Sequence, residues 1–234
     1  MNRAALIAVL GSDRWFNGLS ADLAEAILDG GRLRKLADAR IYSATDRGDG
    51  IVALLSGQFR ISRVDATGRP SLLLIGSPGS WIGISSALDG RPHGYDLMAV
   101  GETAFFHLSQ EKMEAVIGDR VERHAAFTRL LCDRYRSTMD QVAARRSQRP
   151  LQILAYELIR LTERHGRQTG EGIVLEMKLS QEDLAVMIGV GRQTVNRLLK
   201  GLEQQGIASV NYASMTIHDV PALRRLKFAH AENI

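Results

Sequence analysis

The spacing of hydrophobic and polar positions predicts strands in the first half of the chain and helices from Ser109 onward. From Ile41 to about Leu108, short apolar runs alternate with glycines, which is typical of strands joined by tight turns. The strand-length runs are 51–55, 59–64, 71–75 and 103–108, with a hairpin turn predicted at 65–68. This part is predicted to form an antiparallel roll or barrel. Met1–Leu10 is predicted to be an amphipathic helix that precedes it.

A helical repeat begins at Ser109, the predicted N-cap of a long helix that meets no proline before Pro150. Apolar side chains recur about once per turn, with arginines on the opposite side. The apolar seam comprises Phe127, Leu131, Tyr135, Met139 and Val142. So long a seam needs a partner, so part of it is expected to lie on the roll and the rest to meet its copy in a parallel coiled coil. A helix buried wholly in its own chain is the alternative.

A second domain is predicted to begin at Arg149-Pro150, because proline disfavours helix in the residue before it and suits the first helical position. A helix is predicted from Leu151 to about Glu163. Its apolar side consists of Leu151, Leu154, Ala155, Leu158 and Leu161.

The stretch 179–203 predicts a helix-turn-helix. Ser180 and Asp183 resemble a capping box before the first helix, and 189–191 turns the chain. The second helix has an inner face of Val195, Leu198, Leu199 and Leu202 and an outer face of Arg192, Gln193, Asn196, Arg197 and Lys200. Beyond it, 207–210 and 214–218 are predicted to pair as the strands of a wing.

The outer face of this second helix has the chemistry needed to recognise DNA. Arginine can donate two hydrogen bonds to guanine, and glutamine or asparagine can pair with adenine, so Arg192, Gln193, Asn196 and Arg197 are predicted to read bases. Ser180, Gln181, Thr194 and Lys200 are predicted to contact phosphates, which set register without reading sequence. The alternative is an ordinary pair of amphipathic helices with a solvated basic face.

Composition, charge and missing motifs exclude several classes of site and function. The 234 residues carry a formal charge of +4 and 45% hydrophobic residues, which permits a polyanionic partner and a real core. The single cysteine, Cys132, excludes an internal disulfide or a cysteine-built metal site, and a cytoplasmic location is expected. No apolar run is long enough to span a bilayer, so no membrane partner is expected. Enzyme motifs are absent, so the chain is predicted not to be an enzyme.

These motifs resemble the Crp/Fnr transcription regulators over nearly the whole chain, most strongly at Leu179–Ala185 and Gly191–Lys200. The turns at Ile51–Gly57 and Pro78–Gly83 look like those of the family's cyclic-nucleotide-binding-like roll. The resemblance implies a homodimer on a palindromic operator of double-stranded DNA, with RNA polymerase as a further partner. Arg192, Gln193 and Arg197 then occupy the family's base-reading positions. Gln193 stands where many members have Glu, so the half-site should differ from theirs; Gly191 replaces a usual Ser or Thr, so one phosphate-contacting hydroxyl is missing.

The expected sensor lacks the anchors that cyclic AMP-binding members use. Ile84 stands in the place of a ribose-binding Glu, and His93 or Gly94 stands near the place of a phosphate-binding Arg. One cysteine cannot hold an iron-sulfur cluster, and His93 and His107 more often serve as ordinary hydrogen-bonded residues than as haem ligands. No cofactor or metal is therefore expected. By family geometry, an effector pocket of unknown ligand is predicted to be lined by Trp81, Ile84, Ser85, Tyr95, His124, Thr128 and Arg134.

The predicted class is α+β, with an N-terminal antiparallel, jelly-roll-like β-roll, a long dimerisation helix and a C-terminal winged helix-turn-helix. The predicted divisions are a sensor roll with N-terminal helices at 1–108, a dimerisation region at 109–147 and a DNA-binding domain at 148–234. The predicted function is a homodimeric, sequence-specific transcription regulator. The alternative is a ligand-binding signalling module whose helix-turn-helix serves protein contacts.

Overall fold

The computed structural model of the protein describes residues 1–64, 68, 70–147, 149–175, 180–211 and 214–228. The chain divides into two compact units, Met1–Thr138 and Met139–Ile234, which are called the N-terminal unit and the C-terminal unit. Across the described ranges, none of the helices has the length and apolar character needed to cross a membrane.

The N-terminal unit combines helices with one antiparallel sheet. The helices are α1 (Arg3–Leu10), α2 (Arg14–Asn17), α3 (Ala21–Gly30), α4 (Ile84–Asp89), α5 (Gln110–Ile117) and α6 (Val121–Ser147), the last of which continues into the C-terminal unit. The strands are β1 (Arg32–Ala37), β2 (Arg40–Tyr42), β3 (Ile51–Val64), β4 (Pro70–Gly76), β5 (Trp81–Ile82) and β6 (Asp96–Leu108). The strand order is β1-β6-β3-β4, with β2 paired to β6 and β5 paired to β3. The predicted antiparallel β region is confirmed.

Strand β3 joins two segments that the sequence predicts as separate strands, 51–55 and 59–64. The register against β6 shifts around Ser56, and Gly57 adopts a φ of 84° there. A Cβ atom at Gly57 would lie 2.5 Å from the carbonyl oxygen of Glu102, so only glycine fits. The glycine therefore marks a bulge within one strand rather than the end of a strand. Most of the predicted hairpin turn at 65–68 lies outside the described residues.

The first part of strand β3 is buried on both faces of the sheet. Along β3, Ile51 and Ala53 belong to one apolar cluster and Val52 and Leu54 to another, as the alternation of side chains in a strand requires. The first cluster includes residues of α1 to α6, among them Phe127 of α6. The indole Nε1 of Trp15 donates a hydrogen bond of 2.7 Å to the carbonyl oxygen of Ala126, which fixes α6 against the N-terminal helices.

The long helix predicted from Ser109 is wrong in one respect, because it consists of two helices. Ser109 is the N-cap, as predicted, and its hydroxyl accepts a hydrogen bond from the amide of Lys112. Gly118 then ends α5 with a φ of 50°, a conformation that glycine adopts without strain, and α6 starts at Val121. Continuous helical spacing of side chains hid the break.

The C-terminal unit contains the predicted helix-turn-helix and a four-stranded antiparallel sheet. Its helices are α7 (Pro150–His165), α8 (Gln181–Ile188), α9 (Arg192–Gln204) and α10 (Val220–Phe228), and its strands are β7 (Gly166–Thr169), β8 (Gly172–Leu175), β9 (Ala208–Val210) and β10 (Met215–Ile217). The sheet order is β7-β8-β10-β9. The helix predicted to follow Arg149-Pro150 and the wing strand pair are confirmed, whereas β7, β8 and α10 were not predicted.

Candidate nucleic-acid interface

Helix α8 and the turn after it are fixed by local hydrogen bonds. The Ser180 hydroxyl accepts from the amide of Asp183 at 3.1 Å, and the Asp183 carboxylate accepts from the amide of Ser180 at 2.9 Å. This reciprocal capping box was predicted from the sequence. At the other end, Gly189 adopts a φ of 72°, and the amide of Val190 donates to the carbonyl oxygen of Ala185 at 3.0 Å. The chain therefore leaves α8 in a fixed direction toward α9.

Helix α9 is held by one buried face. Val195, Leu199 and Leu202 are 0%, 3% and 1% exposed, and Leu198 is half-buried. In α8, Leu184 and Ile188 are also buried. Because Val195, Leu199 and Leu202 recur at four and three residues, one side of α9 is fixed in the core and the opposite side must face outward.

The outward side of α9 carries three cations and a glutamine. Arg192, Gln193, Arg197 and Lys200 are exposed. Within the described ranges, no acidic side chain forms an ion pair with any of the three cations. Arg192 is the first residue of the helix, where the helix dipole is positive, so this end attracts anions. The arrangement suits a groove lined by phosphates.

Two of the residues predicted to contact DNA form a hydrogen bond with each other. The side-chain amide of Asn196 donates a hydrogen bond of 3.1 Å to the amide oxygen of Gln181, so α9 is linked to the start of α8. Asn196, Gln181 and Thr194 are half-buried, unlike the neighbouring arginines. Ser180 is exposed, but its hydroxyl is occupied by the Asp183 carboxylate at 2.9 Å.

The far end of α9 is tied to the small sheet by residues that sequence reasoning missed. The carboxylate of Glu203 accepts a hydrogen bond of 3.0 Å from the amide of Val210 in β9. The ring of His218 contacts the Ser209 hydroxyl at 2.9 Å and the carbonyl oxygen of Glu171 at 2.7 Å. The position of Glu203 directly after the last buried leucine was the available signal. The bond of Glu203 connects α9 to β9, and the contacts of His218 join the end of β10 to β9 and to the turn between β7 and β8.

The seven residues predicted to line an effector pocket lie in different parts of the protein. Trp81 and Ile84 are core residues of the cluster that includes Phe16, whereas Tyr95 packs against the cluster on the other face of the sheet. Ser85 is half-buried, and His124 and Thr128 are exposed on α6. Arg134 forms an ion pair of 2.5 Å with Asp13. These placements follow from packing between distant segments, which local spacing does not reveal.

The predicted dimer seam divides into a buried and an exposed part. Phe127 is fully buried in its own unit and Leu131 is half-buried. Tyr135, Met139 and Val142 are 62%, 42% and 40% exposed. The seam is therefore buried at Phe127 and exposed at Tyr135, Met139 and Val142. No cluster of three or more potential metal-ligating side chains occurs in the described part of the chain.

Each of the two units contains a segment that matches a known domain family. The cyclic nucleotide-binding domain matches residues 33–120, and the Crp-like helix-turn-helix domain matches residues 152–226. A CRP-like cAMP-activated global transcriptional regulator from Mycobacterium tuberculosis is 27% identical over 79% of this chain and 83% of its own length. A global nitrogen regulator from Nostoc is 28% identical over 79% of this chain and 84% of its own length.

Solved structures show the same fold. FixK2 from Bradyrhizobium japonicum has a TM-score of 0.74 and 18% identity, covering 86% of this chain and 99% of that protein. A CRP-family transcriptional regulator from Thermus thermophilus has a TM-score of 0.70 and 20% identity, covering 85% of this chain and 98% of that protein. With both domain types present in the order that these regulators have, the chain belongs to the Crp/Fnr family of transcription regulators.

Proposed function

We propose that this chain acts as a homodimer that recognises a palindromic DNA operator and regulates transcription there through RNA polymerase. The observation that carries the proposal is the outer face of α9. Arg192, Gln193 and Arg197 are exposed together on a helix whose opposite face is fully buried. The buried face fixes their direction, so they are available to base edges without rearrangement of the helix.

The side chains on this face divide into base-reading and phosphate-contacting groups. Arg192 and Arg197 each donate two hydrogen bonds to guanine O6 and N7, and Gln193 pairs with adenine, with about 1 to 3 kcal/mol of discrimination for each such pair. Lys200 lies further along α9 and contacts a phosphate, as do Thr194 and the start of α8. A helix that carries both groups fixes the register and reads the sequence at the same time.

Dimerisation through α6 explains the exposed seam. Tyr135, Met139 and Val142 are spaced by four and three residues, which matches the apolar positions of a coiled coil. Two copies in parallel bury these side chains against each other. A two-fold dimer then places two copies of α9 on half-sites whose centres are about 34 to 36 Å apart.

The sensor unit does not hold cyclic AMP through the usual pair of charged anchors. One relative is named as cAMP-activated. In this chain Ile84 is apolar and 4% exposed, and His93 is 5% exposed. Neither side chain supplies the carboxylate that accepts ribose hydroxyls or the guanidinium that pairs with a cyclic phosphate. We infer that another effector, or none, controls DNA binding.

Selection of bound duplexes from a random pool, with purified protein and no added ligand, tests the DNA-binding proposal. We expect an inverted repeat with one helical turn between half-site centres. Arg197→Ala should lower affinity for the selected duplex by about 1 to 3 kcal/mol and relax selectivity at one base pair. Lys200→Ala is the matched control on the same helix and should weaken all duplexes about equally.

Two outcomes contradict the proposal. If the Arg197→Ala protein keeps full selectivity, α9 does not recognise bases through Arg197. A purified protein that stays monomeric and binds every duplex weakly and without selection favours a signalling module whose helix-turn-helix contacts protein.

A further inference from the structure

A cavity of about 330 Å³ opens into the sheet of the N-terminal unit beside β1 and β2. Its walls come from β1, β2, β3, β6 and the loops at Asp49 and His93, and none of its lining residues belongs to α6. Val52 and Phe105 form its apolar floor. A volume near 300 Å³ is at the small end of the range for ligand pockets, which indicates a small ligand.

One wall of the cavity is a rigid aromatic surface. The rings of Tyr42 and His93 stack with centroids 3.6 Å apart and an interplanar angle of 11°. The loop that carries His93 is held by backbone hydrogen bonds from His93 to Asp46 at 3.1 Å and from Gly94 to Ala44 at 2.8 Å. A flat wall of this kind favours a flat aromatic ring over a saturated one.

His93 has unused hydrogen-bonding capacity at this wall. It is 5% exposed, yet its Nδ1 atom has no hydrogen-bond partner. Burial lowers the pKa of His93, so the ring is neutral near pH 7 and adds no charge to the wall.

Arg34 supplies the charge on the wall of the cavity. Arg34 and Lys35 both line the cavity from β1, but Arg34 pairs across the strands with Phe105 of the floor, whereas Lys35 pairs with Ala104 on the opposite face of the sheet. Asp49, the single carboxylate among the lining residues, lies 3.5 Å from Nε2 of His107. Arg34 has no acidic partner in the described ranges, so its guanidinium matches a ligand with a single negative charge.

We propose that this cavity binds a small flat aromatic carboxylate, with the ring on Tyr42 and His93 and the carboxylate at Arg34. The claim deepens the proposed function, since such a ligand in the sensor unit would be the effector of the regulator. It differs from the pocket predicted from the sequence, with which it shares no residue.

Ligand-detected NMR titration of the full-length protein with benzoate tests this assignment. Benzamide has the same shape without the charge, and cyclohexanecarboxylate has the charge without the aromatic ring. We expect benzoate to bind and both analogues to bind at least several-fold more weakly. Cyclic AMP is titrated in parallel and should not displace benzoate.

Variants on one strand locate the site. Arg34→Gln should weaken benzoate binding about tenfold, because a charge-assisted hydrogen bond is lost. Arg32→Gln is the matched control, because Arg32 is exposed on the same strand and does not line the cavity. Tyr42→Leu should weaken benzoate several-fold through loss of stacking. Thermal unfolding of each variant checks that the unit remains folded.

Absence of benzoate binding, equal losses in Arg34→Gln and Arg32→Gln, or displacement of benzoate by cyclic AMP each overturns the assignment. Binding of the selected DNA duplex without ligand is measured on the same preparations. Lost benzoate binding with intact DNA selectivity rejects the cavity alone, whereas intact benzoate binding with no DNA selectivity rejects the proposed function alone.

Discussion

Replacing Glu157 by glutamine should destabilise the C-terminal unit far more than the same replacement at Glu163. Both carboxylates lie on α7, and each contacts an arginine at 2.8 Å. The side chains of Glu157 and Arg160 are 3% and 11% exposed, whereas those of Glu163 and Arg224 are 56% and 57% exposed. The two ion pairs thus have the same contact distance and differ in burial.

Burial decides the magnitude of the effect. Removing one partner of a buried pair leaves the other charge uncompensated, at about 3 to 5 kcal/mol. Glutamine at 157 can still accept a hydrogen bond from Arg160, so we expect a loss of about 3 kcal/mol in the free energy of unfolding. For the solvated pair, the expected loss is about 0.2 to 1 kcal/mol.

Native-state hydrogen exchange followed by mass spectrometry measures this difference on α7, α8 and α9. Both tryptophans, Trp15 and Trp81, lie in the N-terminal unit, so an unchanged fluorescence transition in urea shows that the effect is confined to the C-terminal unit. Replacing both Glu157 and Arg160 by leucine should recover most of the lost stability, because no unpaired charge remains. Equal losses in protection for Glu157→Gln and Glu163→Gln would refute the reasoning from burial.

Three further predictions concern α9, the exposed part of the α6 seam and the cavity. Leu199→Ala should reduce the free energy of unfolding of the C-terminal unit by about 2 to 5 kcal/mol, as measured by the same exchange experiment. Leu198→Ala is the control and should cost less, because Leu198 is only half-buried. Equal losses in the two variants would contradict the assignment of the buried face of α9. Tyr135→Glu should produce monomers in sedimentation equilibrium, whereas Arg136→Glu on the arginine side should leave dimers; a dimeric Tyr135→Glu protein would exclude the seam. His93 faces Tyr42 and Tyr95, with Asp46 and Asp49 nearby, and burial lowers its pKa in the folded protein. As the pH falls, the unfolded chain therefore takes up a proton at this histidine before the folded protein does. The stability of the N-terminal unit should consequently fall as the pH drops below about 6.5. His93→Gln should flatten that fall in thermal unfolding between pH 7 and 5, and an unchanged slope would assign it to other groups.

Features set by neighbours in the sequence were predictable. The capping box of Ser180 and Asp183, the turn at Gly189 and the apolar spacing of α9 each depend on residues within one or two turns. The same local signals were misleading at two glycines. Gly57 lies between two predicted strands but forms a bulge within β3, and Gly118 ends α5 although the helical spacing of apolar side chains continues beyond it.

The interior of the N-terminal unit was not predictable, because its contacts join distant segments. Arg134 is paired with Asp13, which lies 121 positions earlier in the chain, and Trp81 packs among residues of α2 and α6. The aromatic wall joins Tyr42 to His93 through the fold of two loops. Spacing within a single segment contains no information on such pairs, and two of the residues that family geometry placed in the pocket, Trp81 and Ile84, pack in the core.

The bond between Asn196 and Gln181 changes how the predicted DNA contacts are divided. In the unbound protein the side-chain amide of Asn196 already donates a hydrogen bond to Gln181. A hydrogen bond from this amide to adenine would therefore replace the one to Gln181. An exchange of one hydrogen bond for another contributes little net free energy, typically about 0.5 to 1.5 kcal/mol for each bond. Arg192, Gln193 and Arg197 give up no such bond, since their side chains form no hydrogen bond with the described residues. We therefore expect the discrimination between sequences to come mainly from these three, while Asn196 holds Gln181 and the start of α8 in place.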